Sequence, residues 1–183
     1  MVYMFLAEGF EEIEALCPLD LLRRAGVPTM TVGVGEKVVR GSHGIEVIAD
    51  ITTAEAEKLL AKSPAEMVIL PGGMPGSLNL QKDAVVNAFI DYAVKNDAYL
   101  AAICAAPMIL GELGLLDGRE AICYPGFEDK LKGAKISEKK VARDGKFITG
   151  KGMGVALEFG LALVEVMVSK EKADELFAAV QAG

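Results

Sequence analysis

Apolar residues follow two rhythms along this chain. Val2 to Leu6, Thr29 to Val34, Met67 to Leu70 and the stretch from Tyr99 to Ile103 are short, nearly unbroken runs, the length of strands buried on both faces. Between them, apolar residues recur every three or four positions, which predicts helices from Gly9-Phe10-Glu11-Glu12 to about Ala25, weakly over Thr53 to Ala61, and over Ala84 to Lys95. The first has acidic residues in its opening turn, where the helix dipole favours them, and Gly26 to close it. Lys37 to Arg40 and Ile45 to Ile48 read as a short hairpin around Gly41 and Gly44. Ala121 to Cys123 predicts a short strand, Lys139 to Arg143 with Lys146 to Thr149 a ribbon turning at Asp144-Gly145, and two helices close the chain. Strands alternating with helices imply an α/β fold, a doubly wound, mostly parallel sheet with helices on both faces and ligands beyond the strand C-termini.

One junction stands apart. The strand ending at Ile103 meets Cys104 and turns at once into a helical pattern, with Pro107 suited to a first turn and Met108, Ile109, Leu110 and Leu113 following. A strand that becomes a helix within a residue or two needs a sharp turn with small neighbours on either side. Ala102 and Ala106 meet that need, so Ala-Ile-Cys-Ala-Ala is a cysteine version of the nucleophile elbow written G-x-S-x-G. The alternative is a buried cysteine packed as a small hydrophobe.

Size and charge narrow the setting. A chain of 183 residues suits one domain able to bury about 70% of its unfolded surface. Its net charge of −7 repels phosphate backbones and anionic lipid, so neither nucleic acid nor a membrane is an expected partner. Cys17, Cys104 and Cys123 have no CxxC or metal-ligand spacing, as expected of a reduced, cytoplasmic location. The first apolar run is too short for a signal peptide, and the longest charge-free run, Ala98 to Gly111, is too short to span a bilayer.

The chemistry centres on Cys104. A free cysteine with a pKa near 8.5 is only slightly ionised at neutral pH, and the start of the following helix offers N–H groups and a dipole that favour an anion. An elbow's oxyanion hole uses the amide after the nucleophile, here Ala105, and one from a neighbouring strand end, for which Pro71-Gly72-Gly73 supplies open backbone. His43 is the only histidine, and its place in a loop suggests a solvated residue. Among Glu8, Glu11, Glu12 and Glu14, most are expected to be solvated helix-start charges. Glu14 differs: Ile13, Leu16 and Cys17 set the buried face near it, and Pro18 lacks the N–H that would bond its carbonyl. A carboxyl turned into the Cys104 crevice would be kept protonated by desolvation and would hold a thiolate by donating to sulfur. Gly150-Lys151-Gly152-Met153-Gly154 lacks the Lys-Ser/Thr of a P-loop, and Gly33-Val34-Gly35 lacks a dinucleotide fingerprint.

These residues carry a resemblance. Leu6-Ala7-Glu8-Gly9-Phe10-Glu11-Glu12-Ile13-Glu14, Arg23-Arg24-Ala25-Gly26, Leu70-Pro71-Gly72-Gly73, Ala101 to Pro107 and Glu158-Phe159 closely resemble the DJ-type branch of the ThiJ/PfpI superfamily. The resemblance implies a flavodoxin-like, class I glutamine amidotransferase-like domain over residues 1–183, usually a homodimer. It also implies a cofactor-independent, metal-free glyoxalase or deglycase acting on methylglyoxal-type 2-oxoaldehydes or their early adducts. In that frame Cys104 is the nucleophile, Glu14 its hydrogen-bonded acid, and Gly72, Gly73, Ala105 and Tyr124 the oxyanion and substrate pocket. The other role implied for the same cysteine is an oxidation-sensing stress protein or redox-regulated chaperone. Two departures matter: Ala105 stands where peptidase-like relatives carry histidine, so peptidase activity is not expected, and Tyr124 stands where DJ-type relatives often carry histidine. His43 falls where relatives carry a basic residue that reaches across the dimer.

Overall fold

The computed structural model describes all residues, Met1–Gly183. The first half runs β1 (Val2–Leu6), α1 (Glu12–Arg24), β2 (Thr29–Gly33), β3 (Val38–Arg40), β4 (Glu46–Ile48), β5 (Ile51–Thr52), α2 (Thr53–Leu60), β6 (Met67–Leu70), α3 (Gly76–Lys82) and α4 (Ala84–Lys95). The second continues with β7 (Tyr99–Ile103), α5 (Pro107–Glu112), β8 (Glu120–Ala121), β9 (Lys135–Ile136), β10 (Val141–Asp144), β11 (Phe147–Gly150), α6 (Ala156–Met167) and α7 (Lys170–Ala179). Seven strands form one sheet in the order β10-β11-β7-β6-β1-β2-β5, parallel throughout except for the β10–β11 hairpin. No helix is long and apolar enough to cross a membrane.

Strand alternation divides the core into two layers. Tyr3 and Phe5 of β1 face the α2–α5 side, where the Phe89 ring meets each edge-on at 5.0 Å. Val2, Met4 and Leu6 face the other side, packing with Leu19 and Leu22 of α1, Phe159 and Leu163 of α6 and Leu176 of α7. The helices start where side chains satisfy their free N–H groups. Glu11 caps α1 by accepting from Glu14 N at 2.7 Å, Thr52 and Glu55 form a reciprocal box on α2, and Asp83 accepts from Val85 N and Val86 N at 2.9 Å on α4. α3, β5 and β9 are additions to the sequence reading. The run Pro71-Gly72-Gly73-Met74-Pro75-Gly76 carries loop signals up to the first residue of α3 and hides that helix.

Register brings the site together. Leu70 pairs with Ala102 and Gly150 with Ile103, so β6, β7 and β11 end side by side beyond the same edge of the sheet. α1 follows β1 at that edge and is held against α6 through Gly160, where an added Cβ would stand 2.6 Å from Leu21 Cδ1 and 2.9 Å from Pro18 Cα. Gly160→Ala should therefore lower unfolding stability by about 1–3 kcal/mol despite alanine's better helix propensity. Urea titration of parent and variant measures it; an equal or higher midpoint would contradict this packing.

Candidate active site

β7 delivers Cys104 into a backbone conformation that residues with a side chain rarely adopt, with φ at 64°. Such strain costs on the order of 1–3 kcal/mol and persists only where neighbours enforce it. Here the Cys104 N–H donates to Gly150 O at 2.9 Å and its carbonyl accepts from Tyr124 N at 2.8 Å, pinning the residue between two loops. The turn then passes through Ala105 and Ala106 to Pro107, the first residue of the six-residue α5.

Glu14 comes to this turn from α1. It is 1% exposed, its Oε2 accepts from Gly72 N at 3.1 Å, and its buried Oε1 has no aligned hydrogen-bond partner. Gly72 lies between the two side chains: a Cβ there would collide with Glu14 Oε2 and stand 2.6 Å from Cys104 Cβ. Only glycine lets carboxyl and thiol approach across this strand end. Gly73, at φ 92°, is forced as well, since a Cβ would lie 2.7 Å from Phe10 C in the first βα loop. Glu11 N–H donates to Gly72 O at 2.9 Å and ties that loop to this one.

Burial dominates the electrostatics. It pushes Glu14 up to about 7, against the pull of Cys104 and the Gly72 and Met153 amides, with the charge of Glu11 pushing further upward. Burial first, and then the Glu14 carboxylate, push the Cys104 thiol up to about 12, while the Ala105 and Gly73 amides pull it down. The carboxyl is raised as the sequence leads one to expect, and burial works against the thiolate that the helix start was expected to favour. α5 is too short, and begins too far past Cys104, for its dipole to offset desolvation. At neutral pH the carboxyl is close to half-ionised, and the contribution of Glu14 to the thiol shift exists only while that carboxyl is ionised.

Cys104, Glu14, Gly72, Gly73 and Ala105 thus converge. Tyr124 joins them through its backbone bond to Cys104, and its half-exposed ring lies beside Gly152. His43 does not join. Its Nδ1 lies 2.9 Å from Glu12 Oε2, and its N–H donates to Glu12 Oε1 at 2.8 Å. Glu12, expected to be solvated, is 2% exposed and organises the turn from Gly41 to Ile45. Nothing local to Glu12 signals this, because its partners lie some thirty residues away on the β3–β4 turn. Glu11, Glu12 and His43 place ligand-type atoms within 4.8 Å of one another, but these carboxylates already serve as cap and turn acceptors.

The pair has a pH signature. Burial alone would raise Glu12, but hydrogen bonds from His43 and neighbouring amides outweigh it and hold the carboxyl below its usual range; Glu12 in turn raises His43. A lowered carboxyl stabilises above its ordinary 4.5 and a raised imidazole below its ordinary 6.5, so the contact contributes fully between those values and fades on either side. Proton NMR of the only histidine should give a midpoint above 6.5 that falls back in Glu12→Gln. A midpoint unmoved by that change would refute the pairing.

Comparison with known proteins places this arrangement. The DJ-1/PfpI family pattern matches residues 1–166. Protein DJ-1 homolog B of Arabidopsis thaliana is 36% identical over 174 residues, 93% of this chain, although the chain spans only 39% of that relative. The glutathione-independent glyoxalase DJR-1.2 of Caenorhabditis elegans is 31% identical over 171 residues, covering 92% of this chain and 89% of the relative. The structure of oxidized Toxoplasma gondii DJ-1 superposes with a TM-score of 0.92 at 33% identity, covering 98% of this chain and 97% of that one. With the parallel sheet and the cysteine turn already in view, the chain belongs to the DJ-1/PfpI family.

Proposed function

We propose that the protein is a cofactor-independent glyoxalase or deglycase acting on 2-oxoaldehydes of the methylglyoxal type or their early adducts, with Cys104 as nucleophile and Glu14 as proton carrier. The observation that carries this reading is the approach of carboxyl and thiol across Gly72. As sulfur attacks the aldehyde carbon, the Glu14 carboxylate takes the thiol proton, so the upward push of burial on the thiol is no obstacle. The carbonyl electron pair moves to oxygen, held by the Gly73 and Ala105 amides, and Glu14 returns the proton there. Glu14 then removes the carbon-bound hydrogen as a proton while the ketone oxygen is protonated, giving an enediol; a proton is returned to the neighbouring carbon as the hydroxyl on the first carbon gives up its own and becomes the thioester carbonyl. The first carbon is oxidised and the second reduced, leaving a 2-hydroxyacyl thioester. Water cleaves it, releases the 2-hydroxy acid and restores the thiol, so no external oxidant is consumed.

The C. elegans glyoxalase lends support as a relative. The second reading uses the same thiol as an oxidation sensor or redox-regulated chaperone, favoured by amides placed to hold sulfinate oxygens.

Incubation with methylglyoxal should yield lactate. Cys104→Ala should abolish it, and Glu14→Gln should lower kcat/KM by about a hundredfold or more. Because Glu14 acts as a base, kcat/KM should rise with pH through about 7, a limb absent from Glu14→Gln. Lactate formation by Cys104→Ala at the parent rate would end this reading.

We also propose a homodimer. Ile13 of α1 and Ile45 of the β3–β4 turn are exposed on either side of the Glu12 contact, and Ile48 adds a third exposed apolar side chain. Arg23 and Arg24 already pair within the chain, with Asp50 and Asp20. Sedimentation at micromolar concentration should show a dimer that Ile13→Asp combined with Ile45→Asp converts to monomer; a monomeric parent would exclude it.

A further inference from the structure

We infer that the cleft lined by Tyr124, Pro125, Lys151, Gly152, Met153 and Val155 is an acyl-group subsite that selects 2-oxoaldehydes bearing an aromatic substituent. The inference deepens the glyoxalase reading and rests on it for the position of the aldehyde.

The cleft opens beside the reacting groups. A Cβ built on Gly152 would lie 3.2 Å from Tyr124 Cδ2 and 3.9 Å from Glu14 Oε1, so ring, glycine backbone and buried carboxyl are neighbours. Its two side walls are positioned by the machinery itself. Tyr124 N donates to Cys104 O, and the Met153 amide faces Glu14, while the side chains of Tyr124 and Met153 stay 51% and 53% exposed. Fixing those backbones against the catalytic pair therefore fixes the walls relative to the aldehyde.

Size and chemistry select the occupant. The cleft measures about 370 Å³, whereas a cavity of ~150 Å³ already holds a benzene ring. The methyl of methylglyoxal would leave most of it to water. A phenol ring and a thioether are favourable partners for an aromatic face, and Pro125 and Val155 extend the apolar lining. Lys151 is exposed and makes no ion pair within the chain, leaving its ammonium available to the outer face of such a ring. An exposed methionine within a loop of three glycines has no packing duty of its own. Contact with a ligand gives it one.

The test compares phenylglyoxal with methylglyoxal, following mandelate and lactate formation. It also measures binding of the two products to Cys104→Ser by calorimetry, which needs no turnover. The parent should favour phenylglyoxal in kcat/KM by about tenfold or more, and Cys104→Ser should bind mandelate more tightly than lactate. Met153→Ser should pull both ratios toward one. Turnover of both aldehydes with a ratio near one, or a ratio unmoved by Met153→Ser, overturns the subsite and leaves the glyoxalase reading standing. No turnover of either aldehyde, with mandelate still preferred and that preference lost in Cys104→Ser combined with Met153→Ser, overturns the glyoxalase reading and supports the aromatic cleft. No turnover and no preference overturns both.

Discussion

A buried carboxyl facing a thiol across a bare strand end is the constraint on which the arrangement around this site depends. Glu14 has almost no contact with water, and the pull of Cys104 and of the Gly72 and Met153 amides on an ionised carboxylate does not make up for that burial. Raising its pKa from 4.5 to about 7 means that ionisation costs the folded state roughly 3 kcal/mol. The cost begins above the ordinary carboxylate value and is complete only above 7. Left-handed backbone at Cys104 adds strain on top of it. Neither burden serves packing, because an apolar residue at 14 and a glycine at 104 would relieve both. Their presence in a well-packed fold is what makes this end of the sheet read as a reactive site.

The surrounding structure can be understood as what enforces that contact. Gly72 and Gly73 permit the close approach of α1 to β6, Gly150 accepts the Cys104 amide from a strand in register with β7, and Gly160 lets α6 press on α1 from outside. Three of these four glycines lie just past or at the end of a strand. The doubly wound topology gathers those ends beyond a single edge, so the chemistry occupies the crevice that the connectivity creates.

The sequence makes the sheet and its edge legible because buried parallel strands are written as compact apolar runs. Met67–Leu70 and Tyr99–Ile103 are read to the residue for that reason. Cys104, Glu14 and the glycine pair are legible because each breaks a local rule: a thiol between small residues at a strand end, a carboxylate beside a buried helix face, two glycines after a proline. Glu12 is not legible. It occupies a helix start where acids are ordinary, and its burial is decided by a turn brought to it through tertiary structure. The thiol's proton affinity is similarly hidden, because it depends on desolvation at the assembled crevice rather than on the neighbouring helix alone.

That last point reverses the natural assignment of roles between the two groups. A helix start beside a cysteine suggests a thiolate waiting for substrate, with the acid as its donor. Desolvation instead raises both groups, and the group whose pKa falls nearer physiological pH is the carboxyl. In the mechanism proposed above the proton leaves sulfur as the carbonyl arrives, wherever an ionised Glu14 can receive it. On that proposal reactivity depends on whether a carbonyl is positioned against the amides of Gly73 and Ala105, which would make substrate placement the gate on this cysteine.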